Sequence, residues 1–417
     1  MTRMSSLKIT ARHVLVISVC ALLAACTSSP ATTTSPAVTS SGASADPAQA
    51  AAVLEVVKEQ MAANHLRAVI VRVTKDGQDV VTAAFGESMT GVPATTDMHF
   101  RNGAVAISYV ATVLLQLVDE GKVTLDDKLS KWLPGQEYAD QVTLGQLARM
   151  TSGIPDYVPQ PELAAANYND PFKQWTPEEL LSYVAGQPLH YPPGTNWNYS
   201  HSNYVILGLA LEQITGQSME QLMQDRVLVP LGLANTMDPG TEAIPEPVLH
   251  TFTSERRAQL GIAPELPFYE ESTFWNPSWT ITRGAVQTTN IFDMTTTAVA
   301  VGEGTLLSPA SHQLQVSTDL RGFGSRLDGC ACFTQSEGYS YGVGQVTTGN
   351  WTLQNPMFSG FAGAEGYLAS EKLAVAVAVT YAPEAFNAEG LYTNQADVLW
   401  RQIGARLVPN DPPPIQQ

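Results

Sequence analysis

The stretch Phe100–Leu117, which reads FRNGAVAISYVATVLLQL, decides the fold of this 417-residue chain. Its second half predicts a helix. The residues with the three-and-four spacing of one apolar face are Val110, Val113, Leu114 and Leu117. Groups on the first turn of a buried helix are held rigidly, and the local dipole there favours negative charge. That turn suits a nucleophile beside an oxyanion site, yet position 104 is Ala and position 107 is Ile.

The segment from Phe100 to Pro134 resembles the region around the active serine in the class C β-lactamase and D-alanyl-D-alanine carboxypeptidase family. That family carries Phe-Arg-x-Gly-Ser-x-x-Lys-Ser here, and S-x-x-K is its nucleophile motif. The residues that match are Phe100, Arg101 and Gly103. Ala104 stands at the serine position and Ile107 at the lysine position. Ser108 falls on the serine that commonly follows the lysine, so it is not a displaced nucleophile.

Strand patterns occur at both ends of the chain. The runs 68–73 and 80–85 flank Asp76-Gly77, which is a strong hairpin signal, and 366–369 and 373–380 form a second pair. Helices are predicted from Asp46-Pro47 and over about 392–407. These elements and the resemblance, which extends over 46–409, predict an α+β, β-lactamase/transpeptidase-like fold. Its antiparallel sheet is flanked by terminal helices, with a mostly helical region inserted.

The resemblance also places the remaining site residues. In PPGTNWNYSHSNYVILGLALEQITG (residues 192–216), Tyr199 keeps the tyrosine of the family's Y-x-N motif, and His201 replaces its asparagine. Histidine still donates one hydrogen bond, although a purely structural histidine is an equal alternative. Phe358, Ser359 and Gly360 best fit the K-T-G motif, with a shift of one or two residues left open. Phe358 removes the cation that this motif supplies for a substrate carboxylate.

Three chemical positions therefore depart from the family together: Ala104, Ile107 and Phe358. The leading hypothesis is a catalytically inactive homologue that binds a peptidoglycan stem peptide or a cell-envelope protein, without a cofactor. The alternative is an active esterase, amidase or carboxypeptidase that uses a non-standard nucleophile, for which Tyr199 and Ser108 are the candidates. A third reading is a scaffold whose cleft is filled by side chains such as Ile107.

The N-terminus predicts export and anchoring. Residues 1–25 read as a signal peptide, and Leu23-Ala24-Ala25-Cys26 resembles a bacterial lipobox that lipidates Cys26. An ordinary signal peptide cut after Ala25 is the alternative. Residues 26–45, rich in Ser, Thr, Pro and Ala, predict a flexible tether. The domain would span 46–409, followed by a disordered tail at 410–417, and would sit at the outer face of a bacterial membrane.

Composition excludes other classes of function. The formal net charge of −17 argues against nucleic acid and against electrostatic binding to anionic lipid. The histidines show no metal-ligand spacing, so no metal site is predicted. After export and lipidation, Cys330 and Cys332 remain, and in an oxidising compartment this C-x-C pair could form a small disulfide.

Overall fold

The computed structural model describes residues 39–40, 46–285 and 288–415. The predicted signal peptide, Cys26 and most of the tether lie outside these ranges. Thr39 and Ser40 are the exception, because they pair with Ala84 and Ala83 as a short strand at one edge of the sheet. An edge strand offers unpaired N–H and C=O groups to any extended neighbour. These two residues of the predicted tether therefore extend the sheet.

The described elements alternate between a sheet and helices. The strands are β1 (Thr39–Ser40), β2 (Leu66–Lys75), β3 (Gln78–Met89), β4 (Val92–Pro93), β5 (Phe100–Arg101), β6 (Phe252–Thr253), β7 (Glu270–Glu271), β8 (Thr288–Thr289), β9 (Ser340–Tyr341), β10 (Val346–Thr348), β11 (Trp351–Gln354), β12 (Met357–Phe358), β13 (Phe361–Leu368) and β14 (Leu373–Tyr381). The helices are α1 (Pro47–Ala63), α2 (Val105–Asp119), α3 (Leu144–Ala148), α4 (Pro161–Asn169), α5 (Pro177–Ser182), α6 (His201–Thr215), α7 (Met219–Met223), α8 (Val229–Leu231), α9 (Ile291–Glu303), α10 (Pro309–Gln315) and α11 (Gln395–Leu407). In the described ranges, no helix has the length and apolarity that crossing a bilayer requires.

The main sheet contains strands from the N-terminal and the C-terminal parts of the chain, as the sequence predicts. Its order is β1-β3-β2-β14-β13-β11-β10-β9, and the pairs along this path are antiparallel. Asp76 and Gly77 turn β2 into β3 with φ of +49° and +74°, the conformation that the tightest hairpins require. Strand β2 then pairs with β14 at the centre of the sheet. The α+β fold class is confirmed.

Helices cover both faces of this sheet. Along β13, Gly363 and Tyr367 meet α9, whereas Gly366 lies against Trp400 of α11. Alternate residues of a strand point to opposite faces, so α9 and α11 lie on opposite sides. Helix α1 packs with α11 and its N-cap is Asp46, whose carboxylate accepts from the N–H groups of Ala48 and Gln49. This cap and the following proline begin α1 where the sequence predicts.

Strand β13 begins five residues earlier than predicted, at Phe361 rather than Gly366. All eight of its residues are buried, which removes the polar alternation that marks a strand with one solvated face.

The C-terminal tail is a second correction. Asp411 accepts a hydrogen bond from the indole N–H of Trp351 at 2.9 Å, and Pro414 O accepts from Thr348 Oγ1 at 3.2 Å. Asp411 and Pro414 are therefore held against β11 and β10 rather than disordered.

Candidate functional site

A cavity of about 320 Å³ opens at the N-terminus of α2. Its walls come from the N-terminal turns of α2 and α6, the end of β11, the segment 279–281 and the start of α11. The residues that line it are Gly103, Ala104, Tyr199, His201, Trp279, Thr280, Ile281, Tyr339, Val346, Gln354, Asn355, Pro356, Met357, Phe358 and Asn394. We call this cavity the cleft. It brings together Ala104, Tyr199, His201 and Phe358, four of the residues selected from the sequence.

Ala104 is the N-cap of α2 and presents a methyl group to the cleft. The backbone before it is held on both sides, because β5 pairs with β8 and the Arg101 guanidinium donates to the carbonyl oxygen of Ala243. Within the described residues, the N–H of Ala104 contacts no acceptor. A helix N-terminus with a free N–H can receive a ligand oxygen. The position thus keeps a donor and lacks a nucleophile.

Ile107 and Ser108 lie behind Ala104 on the same helix. Ile107 is 1% exposed and belongs to the hydrophobic core, so a hydrocarbon side chain lies where the resemblance implies an amine. Ser108 is fully buried, and its hydroxyl donates to Val105 O at 2.6 Å. A serine bonded to its own helix and removed from the cleft has neither access to a substrate nor a base.

Tyr199 precedes α6, and its ring lies edge-to-face with that of His201, with ring centroids 5.1 Å apart. Burial raises the pKa of the Tyr199 hydroxyl well above its ordinary value, and the neighbouring Tyr339, Asp156 and Tyr204 raise it further. A phenolate in this surrounding would be desolvated and next to other negative charge. Burial therefore holds Tyr199 as a neutral hydroxyl.

His201, the first residue of α6, is tied to a carboxylate that the sequence did not reveal as its partner. Its Nδ1 lies 3.0 Å from Oδ2 of Asp156, and its backbone N–H donates to Oδ1 of the same carboxylate at 3.1 Å. Asp156 lies 45 residues earlier, in VTLGQLARMTSGIPDY (residues 142–157). No local feature of the sequence indicates that this aspartate meets position 201.

Phe358, Ser359 and Gly360 separate in the structure. Phe358 lines the cleft, whereas Ser359 and Gly360, with φ of +51° and +76°, form the turn between β12 and β13. The Ser359 carbonyl accepts from Ser272 Oγ at 2.6 Å, and the Gly360 N–H donates to Tyr392 Oη at 2.8 Å. Neither residue is among those that line the cleft.

The strand end that faces Ala104 carries Gln354 and Asn355 instead. Gln354 is the last residue of β11, four residues before the predicted motif, and Asn355 and Pro356 follow it in the cleft wall. A Cβ built on Gly103 would lie 2.6 Å from Pro356 Cβ and 2.7 Å from Phe358 Cε1. Strand end and helix start are therefore in close contact, and only glycine fits between them. No glycine follows at position 356, which is why sequence matching preferred Ser359-Gly360.

The structure also bears on the cysteine pair, on metal binding and on the scaffold reading. Cys330 and Cys332 are joined as a disulfide. In the part of the chain that the structure describes, no group of three or more His, Cys, Asp or Glu side chains is arranged to hold a metal ion. Ile107 and Phe358 do not fill the cleft, so an open cavity beside Ala104 and Tyr199 argues against a purely structural scaffold.

An antiparallel sheet closed by both chain ends, with a cleft at the N-terminus of a buried helix, defines the β-lactamase/transpeptidase class of fold. The sequence profile described as Beta-lactamase matches residues 53–399. The chain therefore belongs to the β-lactamase family, among serine hydrolases related to penicillin-binding proteins.

Individual relatives agree with this membership. Penicillin-binding protein 4 from Amycolatopsis lactamdurans is 36% identical over 182 residues, which cover 42% of this chain and 44% of the relative. The match thus spans less than half of that relative's length. The D-stereospecific amidohydrolase from a Streptomyces species superposes with a TM-score of 0.67 at 22% identity, covering 84% of this chain and 98% of that one.

A second solved structure is the D-amino acid amidase from Ochrobactrum anthropi SV3 complexed with D-phenylalanine. It superposes with a TM-score of 0.71 at 19% identity, covering 86% of this chain and 99% of that one. At such low identities, the two structural matches establish the fold alone.

Proposed function

We propose that this protein is a β-lactamase-family member that binds a cell-envelope ligand in its cleft and no longer forms an acyl-enzyme. The observation that carries the proposal is the methyl group of Ala104 at the head of α2, beside an open cavity. Acylation by this family requires a hydroxyl there and a base to take its proton. Ala104 supplies no hydroxyl, and Ile107 supplies no amine.

The size of the catalytic loss supports the proposal. Removing a serine-hydrolase nucleophile costs about 10⁶ in turnover, or roughly 8 kcal/mol of transition-state stabilisation. The free N–H of Ala104 can still stabilise a ligand carbonyl, but hydrogen bonding without a nucleophile leaves the reaction far too slow for a useful enzyme. A cleft with a free backbone donor and no attacking group favours binding over chemistry.

An active hydrolase is the alternative, and neither of its two candidate nucleophiles is placed to react. Tyr199 is held neutral by burial, and the Ser108 hydroxyl is bonded to its own helix. Turnover of a p-nitrophenyl ester that disappears in Tyr199→Phe would support this alternative. A rate equal to that of buffer would remove it.

The direct test of the proposed function is labelling with a fluorescent penicillin. We expect no covalent band from the purified protein under conditions in which an active penicillin-binding protein is labelled. A band that survives denaturation, and that is lost when the protein is first treated with unlabelled penicillin, would overturn the proposal.

The ligand that we propose is a peptidoglycan stem peptide, with a cell-envelope protein as the alternative. The similarity to a protein named penicillin-binding protein 4 supports a cell-wall ligand, although the match spans less than half of that protein.

We further propose that Cys26 carries lipid and that residues 26–45 tether the domain to the outer face of a bacterial membrane. Incorporation of labelled palmitate that is lost in Cys26→Ala tests the anchor. Incorporation that survives this substitution would contradict it.

A further inference from the structure

We propose that a second cavity, separate from the cleft, binds an aliphatic chain that ends in an ammonium group. Its volume is about 460 Å³, against about 320 Å³ for the cleft, and the two share no lining residue. The site goes beyond the proposed function, because nothing in it depends on binding in the cleft. The lining residues that carry the argument are Glu137, Glu178, Leu181, Val184, Ile206 and Leu209.

The second cavity lies between α5 and α6. Glu178 and Leu181 belong to α5, whereas Ile206 and Leu209 belong to α6. Residues 135–138 form a further wall. Sites for small molecules are concave and commonly measure about 300–1,000 Å³. The second cavity therefore has the size of a ligand site rather than of a packing defect.

Hydrogen bonds within the protein hold the walls of this cavity in place. The hydroxyl of Tyr138 donates to Gln187 O at 2.6 Å. The N–H of Gly186 donates to both carboxylate oxygens of Glu137 at 3.0 Å. These bonds join the wall formed by residues 135–138 to the loop that follows α5. The site is thus preformed, and a ligand does not have to order it.

Hydrocarbon covers much of the inner surface. Ile154, Val184 and Ile206 are buried, and Leu181 and Leu209 are half-buried. Ile206 belongs to the main hydrophobic cluster and Val184 to a smaller one, so the cavity lies where two cores meet. A hydrocarbon chain that displaces water from such a surface is stabilised by the hydrophobic effect.

Charge sets the sign of the ligand. Glu137 and Glu178 both line the second cavity, and none of its lining residues is a lysine, an arginine or a histidine. Within the described residues, neither carboxylate has a cationic partner. The nearest lysines along the chain, Lys131 and Lys173, are paired with other carboxylates. A cation therefore gains two uncompensated partners here, whereas an anion is repelled.

The first turn of α5 does not reverse this preference. Pro177 has no N–H, and the N–H of Glu179 already donates to the Thr176 hydroxyl at 3.2 Å. Both Glu137 and Glu178 are also exposed, so an ammonium group beside them keeps part of its hydration. The ion pairs are therefore formed without the large desolvation cost of a buried pair.

The experiment compares three probes of equal chain length that differ in charge: n-hexylamine (+1), 1-hexanol (0) and hexanoate (−1). Ligand-detected NMR titration of the full chain at about pH 7 gives the affinities. We expect the amine to bind about tenfold more tightly than the alcohol, and hexanoate to bind more weakly than either. Raising the salt from about 0.05 M to about 0.5 M should weaken the amine and leave the alcohol unchanged, because salt screens exposed ion pairs.

Variants locate the binding. Glu137→Gln combined with Glu178→Gln should reduce the advantage of the amine over the alcohol to less than about twofold. Glu162→Gln is the matched control, because Glu162 is exposed on the first turn of α4 and does not line the cavity. It should change neither affinity. Ala185→Phe adds a ring at an exposed lining position and should weaken the amine and the alcohol together.

A lysine side chain of a polypeptide and a free amine present the same chemistry, and Nα-acetyl-L-lysine amide separates them. An affinity equal to that of hexylamine assigns the site to a lysine side chain, and a weaker one assigns it to a free amine. Hexylamine that binds no more tightly than hexanol, or not at all at millimolar concentration, would overturn the inference. An amine affinity unchanged in the double glutamine variant or in Ala185→Phe would do the same. Each of these results leaves the proposed function of the cleft in place.

Discussion

The Nδ1 atom of His201 lies 3.0 Å from Oδ2 of Asp156, and this contact joins the start of α6 to a loop residue 45 positions earlier. Both side chains are mostly buried, with 18% and 12% exposed. The carboxylate also accepts the backbone N–H groups of His201 and Val158. One aspartate thus contacts the imidazole and holds the backbone at both His201 and Val158.

This contact predicts a stability difference between two substitutions. Asp156→Ala leaves the buried N–H of His201 without its acceptor, and such a loss costs about 1–3 kcal/mol in the free energy of unfolding. Asp156→Asn keeps an oxygen at the same place and should cost distinctly less. Urea unfolding measures both values. Equal losses in the two variants would contradict the role of the carboxylate oxygen as backbone acceptor.

Glu365 predicts a pH-dependent stability. It is fully buried on β13, its Oε1 has no hydrogen-bond partner, and burial raises the pKa of its carboxyl from 4.5 to about 8. The folded protein therefore holds a proton that the unfolded chain has already released. The stabilising contribution is complete below the unfolded pKa and is lost as the pH rises through about 8.

We therefore expect the free energy of unfolding to fall by a few kcal/mol, as an order of magnitude, between about pH 5 and pH 9. Glu365→Gln removes the ionisation and should flatten this dependence, which urea unfolding across the pH range detects. A variant with the slope of the parent would show that another group is responsible.

Gly103 predicts a steric effect with a matched control. Gly103 has φ of +51°, and an added Cβ would meet both Pro356 and Phe358 at less than 3 Å. Gly121 at the other end of α2 has φ of +69° and open space around it. Gly103→Ala carries the backbone penalty of about 1 kcal/mol together with about 1–3 kcal/mol of overpacking, whereas Gly121→Ala carries the backbone penalty alone. Thermal unfolding of the two variants should show that order, and the reverse order would contradict the close contact.

The C-terminal segment predicts the effect of a truncation. Removing residues 410–417 leaves the buried indole N–H of Trp351 and the Oγ1 of Thr348 without their partners Asp411 and Pro414. We expect a loss of about 1–3 kcal/mol in the free energy of unfolding, the usual cost of unsatisfied buried donors. A truncated protein as stable as the parent would support the disordered tail that the sequence predicted.

Local sequence patterns were sufficient to predict most elements of the fold. Asp76-Gly77 and the apolar face of α2 are short-range signals, and both gave the elements that the structure contains. The start of β13 was not predicted because Ala362, Gly363 and Ala364 are buried among neighbours that the sequence does not identify. Burial on both faces removes the alternation on which a strand prediction depends.

The site was predictable where one element carries its residues, as in the segment from Gly103 to Ile107. It was not predictable where two distant segments meet. The contact between Asp156 and His201 depends on tertiary packing, and so does the replacement of Ser359 by Gln354 on the cleft wall. Ser359 and Gly360 form a turn outside the cleft lining, whereas Phe358 lines the cleft. No local signal in the sequence predicts this separation.

The measurement that tests the central claim most directly is the intact mass of the protein after incubation with benzylpenicillin, for the parent and for Ala104→Ser combined with Ile107→Lys. The account predicts an unchanged mass for the parent and an added mass of one penicillin for the double variant, with the adduct on residue 104. An adduct on the parent protein would contradict the claim that Ala104 and Ile107 have removed acyl transfer.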